Sequence, residues 1–196
     1  KLISNSLGKA FSRYFFVMSK NQEPSNKSII VIRYYHFAYL ILLFGLCLII
    51  FSEEIITIFT SSEFKPAMYV LPVYVFYHLF AVIGFISVNQ IMFAEKMIYL
   101  LPHTVISMLV NIVLNLLLIP YYGAVGAAFA TAISQLCTSV VVYYLAQKAY
   151  YLPIGFSKNM KLYLVVLVLS FLVYPIMISN LNILLKLVLK IIILSL

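Results

Sequence analysis

The chain has 196 residues, of which 65% are hydrophobic and only 9% are charged. A soluble domain of this size has no interior large enough for so much apolar surface, and ordinary globular chains carry about 25% charged residues. The formal net charge of +8 would suggest nucleic acid in a soluble protein. Here the basic residues gather in loops between apolar runs, which membrane topology explains better. We therefore expect membrane lipids as partners and no nucleic acid.

The apolar runs predict an all-α, polytopic transmembrane helix bundle, because several reach the roughly 20 residues that cross a hydrocarbon core about 30 Å thick. Residues 1–33 are expected to form the end of a truncated helix and a cytoplasmic basic loop. The chain begins without an initiator methionine or a signal-peptide pattern, so we expect a C-terminal fragment of a longer protein. The bundle, residues 34–196, is predicted to contain about six spans, at residues 34–51, 67–93, 97–119, 124–144, 162–178 and 181–196.

Lysine and arginine predict the orientation of the spans, because cytoplasmic loops are enriched in both. Six of them precede the first span and three follow the fourth span, whereas the connections on the opposite side carry Lys65 alone. The basic segments are therefore expected to face the cytoplasm. Lys186 and Lys190 do not fit this pattern, because they lie inside the last apolar span.

The stretch from Asn111 to Ser139 predicts two neighbouring antiparallel helices joined by a very short turn. The first helix stops at Pro120, and the second opens with small side chains that allow close backbone approach, which favours helix association in lipid. Residues four apart share one helix face. The candidate helix-packing residues are Gly123, Gly126, Ala127, Ala130 and Ser134.

Polar side chains form a stripe along the same two helices. In the first helix they recur every four residues and share one slowly drifting face, and lipid offers them no hydrogen-bond partner. They either hold the two helices together by hydrogen bonds or line a hydrated path for a substrate, and the sequence leaves both interpretations open. The candidate cavity-lining residues are His103, Ser107, Asn111, Asn115, Thr131 and Gln135.

The sequence contains no catalytic constellation. There is no Asp, the five Glu lie in loops or at span ends, and there is no phosphate-binding loop, zinc spacing or nucleophile elbow. Cys47 and Cys137 lie inside apolar spans without metal-ligand spacing, which is typical of packing residues. His78 is a lone histidine, for which packing or an interfacial position outweighs ligation. We therefore expect a protein that is not an enzyme and has no metal or other cofactor.

The pattern of Asn111-x3-Asn115 continues with further small and polar residues, and it resembles the hallmark of the multidrug/oligosaccharidyl-lipid/polysaccharide exporter superfamily. It is most similar to the polysaccharide-biosynthesis flippases of the O-antigen type. The resemblance extends over most of residues 1–150 and weakens afterwards. Its other elements are Leu118-Ile119-Pro120, Gly123, Gly126-Ala127-Ala128, Ala130-Thr131, Ser134 and the upstream Asn89-Gln90-Ile91-Met92-Phe93-Ala94.

This resemblance implies a transporter of two helix bundles that works by alternating access, with this chain as most of the C-terminal bundle. The implied substrate is an undecaprenyl-diphosphate-linked oligosaccharide for lipopolysaccharide O-antigen, capsule or related polysaccharide synthesis. The implied location is a bacterial inner (plasma) membrane, with the polysaccharide polymerase machinery as a further partner. Such flippases bind the anionic headgroup with cavity Arg and Lys. The basic groups near the spans here, Arg33, Lys186 and Lys190, are weak candidates because none matches a position of the family.

Two other functions are compatible with the sequence. A cation-coupled multidrug exporter of the same superfamily needs an intramembrane carboxylate, which would have to lie outside this chain. A non-transporting membrane scaffold for polymerising enzymes needs no substrate path, and substitutions in the polar stripe would then leave the transport of any molecule unchanged.

Overall fold

A computed structural model describes residues 2–21, 23–179 and 183–194, and these residues form helices without any strand. The prediction of an all-α helix bundle is therefore confirmed. Two short 3₁₀ turns, Ser62–Phe64 and Met97–Tyr99, connect longer elements. The described α-helices are α1 (Leu2–Lys20), α2 (Pro24–Ile50), α3 (Ser52–Phe59), α4 (Ala67–Phe93), α5 (Leu100–Ala149), α6 (Phe156–Ile178) and α7 (Ile183–Leu194).

Four of the described helices, α2, α4, α5 and α6, are long and apolar enough to cross a membrane, fewer than the six spans predicted. One reason is that the 50 residues of α5 contain both of the spans predicted at 97–119 and 124–144, except residues 97–99, which precede the helix. The other is α7, whose 12 described residues are few for a span. Residues 181, 182, 195 and 196 of the last predicted span lie outside the described residues.

Gly123 divides α5 into an outgoing leg, residues 100–122, and a return leg, residues 124–149. Its φ of +55° and ψ of −131° belong to a region that glycine adopts far more readily than other residues. A Cβ built at this position would meet nothing within 4 Å. Gly123 is therefore needed for the backbone conformation of the turn, and not for the close helix packing that the sequence suggested.

Helix α2 begins at Pro24, earlier than the predicted start at Tyr34. Proline suits the first helical position, because the amide hydrogen that it lacks would be unpaired there in any case. The Asn26 side-chain amide donates a hydrogen bond to the Met18 carbonyl oxygen at 3.2 Å, which joins the start of α2 to the end of α1. Arg33 consequently lies on a helix and not in a loop.

The apolar core is shared by α1, α2, α4 and α6. Tyr34, Leu79 and Ile83 are among its fully buried side chains. The Tyr163 hydroxyl of α6 donates a hydrogen bond to the Leu79 carbonyl oxygen of α4 at 2.9 Å. A Cβ at Gly45 would lie 2.5 Å from a methyl carbon of Leu79. Helices α2 and α4 therefore approach closely because this position has no side chain.

Residues 150–155, which connect α5 to α6, are fixed by side chains from three helices. Gln90 of α4 donates a hydrogen bond to the Tyr150 carbonyl oxygen at 2.7 Å, and Tyr143 of α5 donates to the Ile154 carbonyl oxygen at 2.7 Å. The Tyr35 hydroxyl of α2 accepts a hydrogen bond from the Gly155 amide at 3.2 Å. We call this the inner end of the bundle, because the sequence predicts that these loops face the cytoplasm. The outer end holds residues 51–66 and 179.

Candidate functional site

An open cavity of about 630 Å³ lies where α1, α2 and α4 meet. Its walls are mostly apolar and include the rings of Phe37 and Phe85. Three lining side chains carry a charged or hydrogen-bonding group, Lys9 and Ser12 from α1 and His78 from α4. The cavity therefore combines a small polar region with a broad aromatic surface, as binding sites for small molecules commonly do.

Aromatic packing holds α1 against the other two helices beside the cavity. The buried Phe11 ring lies 5.4 Å from the Phe37 ring of α2 and 5.9 Å from the Phe85 ring of α4, measured between ring centroids. A Cβ at Gly8 would lie 3.4 Å from the Phe85 ring. Gly8 thus packs against Phe85, and both Gly8 and the next residue, Lys9, line the cavity.

The polar residues of the cavity lie far from the ends of their helices. Lys9 precedes the last residue of α1, Lys20, by 11 positions, which is about 16 Å at the α-helical rise. His78 follows the first residue of α4 by 11 positions and precedes its last by 15, about 16 and 22 Å along the helix axis. His78 therefore lies near the middle of α4, a helix long and apolar enough to cross a membrane, and Lys9 lines the same cavity as His78.

The charge of the cavity is positive. Lys9 is exposed, and none of the described residues that line the cavity is acidic. An ammonium group within the membrane is costly unless it faces water or an anion. Lys9 and the Ser12 hydroxyl can therefore bind an anionic group, while the Phe37 and Phe85 rings offer flat apolar surface for a sugar ring or an alkyl chain. Among the described residues, no group of three His, Cys, Asp or Glu side chains could hold a metal ion.

The predicted polar stripe of α5 contributes no side chain to this cavity. The Asn115 amide donates a hydrogen bond to the Asn111 side-chain oxygen at 2.8 Å. The Asn111 amide lies 3.4 Å from the Ser134 hydroxyl oxygen and 3.5 Å from that of Thr131. These contacts run from the outgoing leg to the return leg, which favours the interpretation of the stripe as hydrogen bonding between helices. Asn115 also borders a groove of about 330 Å³ on the outgoing leg.

The remaining stripe residues divide into two groups. The Gln135 amide donates a hydrogen bond to the Ser139 hydroxyl at 3.1 Å, and Ser139 donates to the Phe80 carbonyl oxygen of α4 at 2.9 Å. Gln135 is therefore linked to α4 through Ser139. His103 and Ser107 are half-buried on the outgoing leg, and no hydrogen bond joins either side chain to another described residue.

The small residues of the return leg allow the two legs of α5 to approach closely. A Cβ at Gly126 would lie 2.5 Å from the Leu118 carbonyl oxygen of the outgoing leg. Ala130 is fully buried and Ser134 nearly so, whereas Ala127 is half-buried. These placements fit a packing role for Gly126, Ala130 and Ser134.

The candidate headgroup contacts lie outside the cavity. Lys186 pairs with Glu53 at 2.8 Å, and Lys190 pairs with Glu54 at 2.7 Å. Contact of either lysine with a lipid headgroup would require these ion pairs to break. Arg33 is exposed on α2.

Sequence reasoning missed Lys9, Ser12 and His78 as a group. In the sequence analysis Lys9 was used only to predict the orientation of the spans, and His78 was a histidine without a second metal ligand at helical spacing. A sequence signal did exist, because Gly8 and Ser12 are one turn apart on α1 with Lys9 beside them. The cavity forms only where this face of α1 packs near α4. That packing is a tertiary contact, which no local sequence pattern predicts.

Comparison with known proteins gives one partial likeness. No protein-family model matches the chain, and no solved structure is significantly similar to it. The chain is similar to the probable low-salt glycan biosynthesis flippase Agl15 of the archaeon Haloferax volcanii, with 36% identity over 100 residues. These residues make up 48% of the chain but 20% of that relative's length. Over about half of its residues, this multi-pass membrane chain is thus similar to a flippase of glycan biosynthesis.

Proposed function

We propose that this chain is part of a flippase that translocates a lipid-linked oligosaccharide across a membrane for surface glycan synthesis. The observation that carries the proposal is Lys9, a basic side chain exposed in an aromatic-walled cavity that it shares with His78 near the middle of α4. The similarity to a glycan biosynthesis flippase supports the same function. The proposed substrate is a polyprenyl-diphosphate oligosaccharide. In a bacterial inner membrane this would be the undecaprenyl-diphosphate form used for O-antigen or capsule.

The proposed mechanism is alternating access of the cavity to the two sides of the membrane. The Lys9 ammonium pairs with the diphosphate, since charge-assisted hydrogen bonds to phosphate oxygens are stronger than neutral ones. The Ser12 hydroxyl donates a further hydrogen bond, and the Phe37 and Phe85 rings pack against the sugars. The polyprenyl tail stays in lipid while the head crosses.

The charge of the cavity separates this function from the two alternatives. A cationic drug would be repelled by Lys9, and the described lining offers it no carboxylate. A multidrug exporter would therefore need its acidic residues elsewhere in the full protein. A membrane scaffold would not need Lys9 at all.

The proposal can be tested with the full-length protein in liposomes that contain a fluorescent polyprenyl-diphosphate oligosaccharide. The initial rate of transfer between leaflets is measured for the wild type, Lys9→Gln and Lys20→Gln. Lys20 is an exposed lysine at the end of the same helix and outside the cavity. We expect Lys9→Gln to lower the transfer rate about tenfold, because it removes one hydrogen bond to a charged group. We expect Lys20→Gln to leave the rate unchanged. Equal rates for all three proteins would contradict the proposal.

A further inference from the structure

Four charged side chains meet at the outer end of the bundle, between α3 and α7. The Lys190 Nζ atom lies 2.7 and 2.8 Å from the two carboxylate oxygens of Glu54 and 3.5 Å from one oxygen of Glu53. The Lys186 Nζ atom lies 2.8 Å from the other Glu53 oxygen. We call these four residues the α3–α7 ion cluster. Its two positive and two negative charges balance.

The ion cluster is largely shielded from solvent. The exposed fraction of the side chain is 0% for Lys190 and 8% for Lys186, against 9% for Glu54 and 17% for Glu53. An isolated buried charge is strongly unfavourable, whereas a hydrogen-bonded pair of opposite charges is tolerated. Each lysine of the cluster therefore depends on the glutamates for its place in the bundle.

The sequence of α7 makes this dependence specific. The helix reads ILLKLVLKIIIL, so its two lysines are its only polar residues. They are four positions apart and share one face. The glutamates lie in the first turn of α3, directly after α2 ends at Ile50. Opposite charges from segments more than 130 positions apart are thus paired.

We propose that Glu53 and Glu54 form the docking site for α7, so that α7 keeps its place in the membrane through charge pairing and not through hydrophobicity alone. Without the two carboxylates, neither ammonium group of α7 keeps its ion pair in the bundle, and α7 moves to the outer surface. This assembly role belongs to the bundle itself and does not depend on which molecule the protein transports.

The docking site can be tested by the accessibility of a single cysteine on α7. Val188 is half exposed on the apolar part of this helix. Val188→Cys is therefore introduced into the full-length protein after every other cysteine, Cys47 and Cys137 included, has been replaced by Ala. Intact cells are treated with a membrane-impermeant maleimide, and the labelling rate is measured. In Glu53→Gln/Glu54→Gln we expect labelling to be at least about tenfold faster, because neither lysine can then be neutralised. Glu63→Gln is the matched control at an exposed glutamate of the same outer segment, and its labelling rate should equal that of the parent.

A rescue variant separates charge pairing from general misfolding. Lys186→Met/Lys190→Met in the Glu53→Gln/Glu54→Gln background removes the buried charges and keeps similar side-chain length. We expect labelling to return to the parent rate, since replacement of both partners of a buried pair is tolerated while removal of one is not. The proposal is overturned if Glu53→Gln/Glu54→Gln labels as slowly as the parent. It is equally overturned if the rescue variant labels as fast as the glutamine double variant.

Discussion

Two lysine environments within this apolar bundle differ, and the difference separates a charge that is paired within the protein from one that is open to a ligand. Lys190 is fully buried and bonded to both carboxylate oxygens of Glu54. Lys9 is exposed in a cavity between α1, α2 and α4, and no described residue forms an ion pair with it. A charge that the protein neutralises itself has no capacity left for a ligand. A charge in an open cavity has that capacity, and this is why we place the substrate at Lys9.

The largest effect on stability is expected from breaking the buried pair. Glu54→Gln should lower the free energy of unfolding by about 3 kcal/mol, because removal of one partner leaves the Lys190 ammonium buried and poorly compensated. The midpoint of thermal unfolding of the purified protein in detergent checks this. A midpoint equal to that of the wild type would show that Lys190 is not held by Glu54.

A somewhat smaller effect is expected at the contact between the two legs of α5. Gly126→Ala should cost about 1–3 kcal/mol, because its Cβ would lie 2.5 Å from the Leu118 carbonyl oxygen and backbone would have to move. Gly155→Ala is the matched control, since its Cβ would meet no atom closer than 3.5 Å. Thermal unfolding of both variants gives the comparison, and equal midpoints would contradict close packing at Gly126.

Removal of the Asn111 side-chain amide should have a smaller effect. Asn111→Leu loses long hydrogen bonds between the legs, 3.4 and 3.5 Å, and such bonds in membrane proteins average about 0.6 kcal/mol. Transport should change little if the stripe serves only to hold the legs together. A large loss of transport with unchanged stability would instead support the interpretation that the stripe lines a substrate path.

The smallest effect on stability is expected at Lys9, the other side of the comparison. Lys9→Gln removes a charge without a partner among the described residues, so the unfolding midpoint should stay within the error of the wild type. A clear destabilisation by Lys9→Gln would mean that this lysine is structural, as Lys190 is.

Local sequence signals predicted some elements of the fold correctly and misplaced the ends of others. The sequence predicted helices and the hairpin turn, because apolar run length and the turn residue Gly123 act locally. It ended the first helix at Pro120, whereas the outgoing leg continues through Pro120 to Tyr122. The bounds 67–93 coincide with α4, which starts directly after Pro66 and ends before a turn in which Glu95 has a positive φ of 56°. The start of α2 was placed too late, because a polar first turn gives no apolar signal.

The contacts on which the two proposals rest cannot be predicted from local sequence signals. Lys186 meets Glu53 across 133 positions, and Lys9 gains its cavity from the packing of α1 against α4. Both contacts are consequences of tertiary packing. The composition of α1 or of α7 alone does not indicate which residues these lysines lie near. The lysines of α7 stood out in the sequence as misplaced charges, and only the fold showed their partners.

The most direct test of the central claim uses a strain that lacks the intact gene and carries the wild type, Lys9→Gln or Lys20→Gln. Lipid-linked glycans are extracted and quantified, and their leaflet is determined with an impermeant reagent. We predict that the strain with Lys9→Gln accumulates an oligosaccharide–diphosphate lipid on the cytoplasmic leaflet and loses its surface glycan, while Lys20→Gln behaves as the wild type. Normal surface glycan without accumulation in the Lys9→Gln strain would contradict the assignment of the cavity as the substrate path.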